Sequence, residues 1–166
     1  MLDRQTLTNS LVRDFQDYPL GYWITLNTHW HVLDHADRRT ITYFDYLDPK
    51  VSRFIHRLNQ KCFGRRYARK EQSARLKCLA AFEVGASDGL IHCHILAAHD
   101  GSVRHELDDV RRIAHEEWED IYESKGGRQF VHVDPLENAR DRIWYMTKRS
   151  EAHQRLYRGA LNITSV

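Results

Sequence analysis

The chain has 166 residues, 42% of them apolar, and a formal charge of +2. That composition suits one domain with its own core, and no stretch approaches the roughly 18 apolar residues of a membrane-spanning helix. Cys62, Cys78 and Cys93 are odd in number with no CxxC pair, which argues against a disulfide framework or a cysteine zinc centre.

Leu7, Leu11, Val12 and Phe15 recur at helical spacing before Tyr18-Pro19, so a short leading helix is expected within residues 1–18. The N-terminus, with Asp3, Arg4 and Asp14, does not read as a signal peptide, and an intracellular protein is expected. A core over residues 20–150 follows, with a tail over 151–166. Residues 21–29 read as a strand because β-branched and aromatic side chains dominate. Asp48-Pro49 combines an N-cap residue with a first-turn proline. The stripe Val51, Ile55, Leu58 and Cys62 then predicts a helix that stops near Gly64.

Two strands are predicted at about 75–85 and 90–98, joined through Ala86-Ser87-Asp88-Gly89. Leu76, Cys78, Ala80, Phe82 and Val84 give the first its apolar face, and Ile91, Cys93, Ile95 and Ala97 the second. Directly paired residues share a face, so Val84 should meet Ile91 and Glu83 should stand opposite His92, across a two-residue turn. A bulged turn would shift the pairing by one and set an apolar face against a polar one. A helix is predicted from Gly101-Ser102, burying Val103, Leu107, Val110, Ile113, Ala114, Trp118 and Ile121 and closing at Gly126-Gly127. Residues 128–133 read as a fourth strand. Asp134-Pro135-Leu136-Glu137 then reads as the cap of a last helix carrying Tyr145 and Lys148. The order βαββαβ predicts an α+β, ferredoxin-like antiparallel sheet with helices on one face and a terminal helix that brings a tyrosine to the other.

Strand side chains alternate between faces, so His92 and His94 project together while Cys93 points away. With Glu83 they form a nitrogen/oxygen donor set that suits Mn²⁺ or Mg²⁺ first, with Zn²⁺, Co²⁺ or Ni²⁺ also able to bind. Tyr145 and Lys148, three residues apart, can approach one phosphate: a phenol to attack phosphorus and an ammonium to neutralise charge. His29-x-His31 is a second His-x-His pair without an identifiable acid partner, and Tyr122 and Tyr157 are rival tyrosines that lack a following lysine.

The His92-Cys93-His94 and Tyr145-x-x-Lys148 pair resembles the HUH endonucleases, in particular the single-tyrosine rolling-circle replication initiators (Rep proteins) of plasmids, phages and small viruses. The resemblance covers roughly residues 20–150. It implies a metal held by His92, His94 and Glu83, and nicking and joining of single-stranded origin DNA, hairpin forms included, through a 5′-phosphotyrosine on Tyr145. It also implies a first-strand DNA-holding segment at Ile24-Thr25-Leu26-Asn27, and work alongside a host helicase and polymerase in the cytoplasm of a bacterial or phage-infected cell. Arg149 stands where two-tyrosine relatives often carry a second tyrosine, and no GxxxxGK[ST] motif is present, so a single nucleophile without a helicase domain is expected. Relaxases and single-strand transposases share this chemistry.

For DNA contacts, Trp23, Thr25, Asn27, Phe130 and His132 should share the open sheet face, where aromatics stack bases and polar groups reach sugars or base edges. Nine Lys or Arg between Arg53 and Lys77 face only Glu71 as an acid, and Arg57 and Lys61 on that helix are expected to contact phosphates. The stretch from Asp100 to Glu123 is the reverse, nine acids against Arg104, Arg111 and Arg112. Two readings compete with the nickase: a non-catalytic ferredoxin-like domain that binds single-stranded nucleic acid, and a metal-dependent phosphoesterase that activates water.

Overall fold

A computed structural model describes residues 4–31, 39–69, 75–85, 89–122, 131–148 and 156–157. Its elements are α1 (Arg4–Phe15), β1 (Leu20–His31), α2 (Arg39–Phe63), a single 3₁₀ turn (Tyr67–Arg69), β2 (Lys77–Val84), β3 (Leu90–His99), α3 (Leu107–Tyr122), β4 (Val131–Pro135), α4 (Ala139–Met146) and β5 (Leu156–Tyr157). The fold is α+β, and its open sheet runs β4-β1-β3-β2-β5 with every neighbour antiparallel, an arrangement compatible with the ferredoxin-like expectation.

The predicted register of the central hairpin is observed: Val84 pairs with Ile91 and Glu83 with His92. Beyond Val84 the Gly85 amide donates to the Leu90 carbonyl at 2.8 Å and the Gly89 amide to the Gly85 carbonyl at 2.9 Å, with Gly89 at a φ of 65° in the left-handed region that glycine tolerates. The predicted two-residue turn itself falls on residues outside the described set.

Both faces of the sheet are covered in part: the terminal helix lies on the second face as expected, and α1 joins it there. The main core joins Ile24, Leu26, Cys78, Phe82, Cys93 and Ile95 to Phe54, Ile55 and Leu58 of α2 and Val110 and Trp118 of α3. On the opposite face Leu11 and Phe15 of α1 and Ile143 and Met146 of α4 pack on Trp23, Leu79, Ala81, Leu96 and Ala98. Leu79 and Ala81 of β2 and Leu96 and Ala98 of β3 give that second core its sheet side; Lys77 flanks it at one end, over the Phe15 and Tyr18 rings, and Glu83, His92 and His94 replace apolar residues toward the hairpin end.

Three helix starts move. α2 begins ten residues or so before Asp48 and carries Pro49 in its interior. Leu47 extends the buried stripe through Val51, Phe54, Ile55 and Leu58, and this burial outweighs the roughly 3 kcal/mol that an interior proline costs. α3 begins at Leu107 rather than Gly101, because the Asp100 carboxylate accepts from the Ser102 amide and Gly101 sits at a φ of 102°. Asp134 and Pro135 end β4, and α4 is capped instead by Asn138, whose side chain accepts from the Asp141 amide. The predicted helix stop at Gly126-Gly127 lies outside the described residues, as does 128–130 of the fourth strand. Gly21 marks the closest approach of β1 to β3: a Cβ there would stand 2.4 Å from the Ala97 carbonyl oxygen.

Candidate active site

Cross-strand rows bring the polar residues of the second face together. Asn27 on β1, His92 on β3 and Glu83 on β2 lie in one row, and His132, Thr25, His94 and Ala81 in the next. A bulge in β1 begins just after Asn27, secured by the Thr28 hydroxyl on the Ile91 carbonyl at 2.9 Å and the Trp118 indole on the Asn27 carbonyl at 3.2 Å.

Glu83 is the centre of the cluster. Its Oε2 accepts from the Tyr145 hydroxyl at 2.8 Å and lies 3.1 Å from His94 Nε2, while its Oε1 pairs with Lys148 Nζ at 2.8 Å. The bond from His94 comes first among the causes that lower its pKa to about 2, followed by those from Lys148 and Tyr145, against the opposing effect of burial. Burial and the Glu83 carboxylate raise the Tyr145 pKa, so the phenol keeps its proton in this arrangement, although Lys148 Nζ sits 3.7 Å from the ring centroid and pulls the other way.

Each imidazole is held from β1. Asn27 Oδ1 accepts from His92 Nδ1 at 2.6 Å, and Thr25 Oγ1 lies 3.1 Å from His94 Nδ1. A hydroxyl donates or accepts, so Thr25 serves either tautomer of His94. With Nδ1 engaged on both rings, ligation would go through Nε2, the usual arrangement in which a hydrogen bond at one nitrogen orients the other toward a metal.

Two ligands of a divalent ion at about 2.1 Å and right angles stand about 3.0 Å apart, close to the 3.1 Å between His94 Nε2 and Glu83 Oε2. The rings of His92 and His94 are nearly parallel with centroids 6.4 Å apart. Among the described residues no three His, Cys, Asp or Glu side chains are gathered tightly enough to hold one ion, because Glu83 is turned to Tyr145 and Lys148. The donors therefore fit in kind and in one pair distance, and His92 and Glu83 would have to converge for the set to close on one ion.

Tyr145 reaches Glu83 from α4, half-exposed, while Lys148 lies just beyond the C-cap Thr147 rather than on the helix itself. α1 braces this corner. The buried Thr8 and Thr147 hydroxyls meet at 2.8 Å, and the Arg4 guanidinium donates to the Trp144 carbonyl at 2.7 Å while lying on the Trp144 ring. No sequence signal pointed to that brace, since a threonine at a helix position has no distinguishing pattern.

No family model, curated protein or solved structure matches the chain.

Several residues expected to meet DNA have other occupations. Trp23 is 5% exposed, stacked on His94 at 5.2 Å and edge-on to Tyr145, so it packs the site instead of offering a base-stacking surface. Arg57 bonds Glu117 at 3.0 Å and also Asp120, and Lys61 lies 3.3 Å from Glu117, so the basic helix and the acidic helix neutralise each other. Both belong to the helix layer on the far side of the sheet from the histidines. Thr25 and Asn27 face the site, where they hold the imidazoles. His132 is exposed beside Thr25 and pairs with Asp134 at 3.1 Å. Phe130 lies outside the described residues. Of the rivals, Tyr122 is buried in the main core with its hydroxyl on His29, and the side chains of His31 and Tyr157 are outside the described set.

Proposed function

We propose that the protein nicks and rejoins single-stranded DNA through Tyr145, in the manner of an HUH replication initiator. The observation that carries this reading is the convergence of Tyr145, Lys148 and His94 on the Glu83 carboxylate, with His92 directly across the strand pair from it. Residues from three separate stretches of chain converge on one carboxylate, and His92 lies in the same cross-strand row. The strand order β4-β1-β3-β2 with all neighbours antiparallel supports a ferredoxin-like βαββαβ core beneath them.

A divalent ion on His92, His94 and Glu83, Mn²⁺ or Mg²⁺ first, would supply charge withdrawal from the scissile phosphate. The phenolic proton of Tyr145 passes to water as its oxygen attacks phosphorus; the bond from phosphorus to the 3′ oxygen breaks, and that oxygen takes a proton back from water as the leaving hydroxyl. Lys148 neutralises charge that builds on the phosphate oxygens. Attack of a 3′ hydroxyl on the phosphotyrosine reverses the step and rejoins the strand. Asn27 and Thr25 keep the imidazoles aimed throughout. Initiation of rolling-circle replication on a single-stranded origin, with a host helicase and polymerase in the cytoplasm, is the setting this chemistry suits; transfer and transposition use the same step.

The Glu83–Tyr145 hydrogen bond, which holds the phenol protonated, favours a second reading in which Tyr145 only positions water for phosphodiester hydrolysis. One experiment separates the two. The protein is incubated with Mn²⁺ and a randomised pool of single-stranded oligonucleotides, denatured, and the covalently held strands are sequenced. The nickase leaves a protein-DNA adduct; cleavage without any adduct would overturn the proposal in favour of hydrolysis.

A further inference from the structure

Arg142 stands one turn before Tyr145 on α4, and its guanidinium lies over the Trp23 ring, 4.8 Å from the centroid. Tyr145 meets the same indole edge-on at 6.1 Å, so Trp23 carries the arginine and the tyrosine side by side. Trp23 is itself fixed by stacking on His94, which ties the guanidinium's position to the site.

Two cations of this helical corner are occupied: Lys148 pairs with Glu83, and Arg4 donates to the Trp144 carbonyl. Arg142 is not. It is half-buried, and among the described residues its guanidinium has neither a hydrogen-bonding partner nor an acid, only the indole face. Nearby carboxylates are directed elsewhere, Asp141 to Asn138 and Asp134 to His132. A guanidinium held over an aromatic face by cation–π attraction uses none of its N–H donors in that contact, which leaves them for the paired oxygens of a phosphate.

The geometry points to Arg142 as a phosphate-binding residue that receives the backbone phosphate next to the one attacked by Tyr145, positioning the strand by charge and not by base identity. This rests on the nicking reading for which phosphate is bound; binding of a single strand at Arg142 does not require that reading.

The test measures binding of a labelled oligothymidylate across a series of salt concentrations, alongside adduct formation with the randomised pool. Arg142→Gln should flatten the slope of log affinity against log salt by about 0.7, the loss of one phosphate contact on a single strand. Arg142→Lys should retain the slope, and Arg140→Gln, an exposed charge removed from the same helix, should leave it unchanged. Adduct yield should fall in Arg142→Gln while attachment stays on Tyr145, with thermal melting unchanged as the check on folding. If wild type forms adducts and Arg142→Gln keeps the full slope, Arg142 binds no phosphate and the nicking reading stands. If no adduct forms but the slope flattens, the nicking reading fails and the phosphate contact stands. Equal flattening by Arg140→Gln, or failure of the wild type to bind the oligothymidylate, would overturn the inference.

Discussion

Tyr145 donates its phenolic proton to Glu83 Oε2 at 2.8 Å, while Lys148 and His94 hold the same carboxylate. The phenolic oxygen is thus kept at the cluster by the very group that keeps it protonated. Anything that draws Glu83 toward His92 releases Tyr145.

Tyr145→Phe removes the oxygen and leaves the ring against Trp23 and His94. Adduct formation should vanish while oligonucleotide binding changes less than twofold, because the lost group makes one half-exposed hydrogen bond. Mass spectrometry of a digested wild-type adduct should place the nucleotide on Tyr145; finding it on another tyrosine refutes the assignment of the nucleophile.

The low Glu83 pKa makes a prediction for stability against pH. Its folded value of about 2 lies below the ordinary 4.5, so the ionised carboxylate stabilises the fold above pH 4.5, and that contribution fades as pH falls toward 2. Glu83→Gln should be less stable than wild type at neutral pH by on the order of 2 kcal/mol. In urea melts with chelator present, the gap should close through that acid window. A gap that stays constant down to pH 3 contradicts the ionic account of the cluster.

Asn27→Ala leaves the His92 ring without its Nδ1 partner. Calorimetric titration with Mn²⁺ should show affinity reduced about 10–100-fold, the usual cost of losing such an orienting bond. His92→Ala should abolish binding, and nicking should cease in EDTA. Unchanged Mn²⁺ affinity in both variants would remove His92 from the metal site.

Replacing Arg57 and Lys61 by Gln together should leave the salt dependence of DNA binding intact and cost about 1–3 kcal/mol of stability, since Glu117, 9% exposed, loses both cations. A flatter salt slope with unchanged stability would restore these residues to the DNA interface.

The hairpin was legible because alternation is redundant there: nine apolar residues in two strands admit one register that matches faces, and Glu83 follows from it. Helix starts were not, because Asp48-Pro49 and Asp134-Pro135 carry the same capping chemistry whether or not the chain uses it, and burial of Leu47 and the capping bond of Asn138 decide the outcome. Arg57 and Lys61 show the limit of charge counting along a chain. Their acid partners, Glu117 and Asp120, are some sixty residues away, and only the packing of α2 on α3 reveals them. Trp23 could not be settled from sequence for a related reason: an aromatic on a sheet face reads the same whether bare or packed under the last helix, and here it packs with α4.

The brace between α1 and α4 bears on the order in which the cluster assembles as the chain emerges. Glu83, His92 and His94 are gathered by one hairpin spanning a dozen residues, and such local pairings close early. Tyr145 arrives some fifty residues later, and its helix is anchored by Thr8 and Arg4, 139 and 140 residues before their partners. A nascent chain therefore holds its carboxylate and imidazoles together well before Tyr145 can reach them, and the docking of α4 on α1 is the event that completes the cluster.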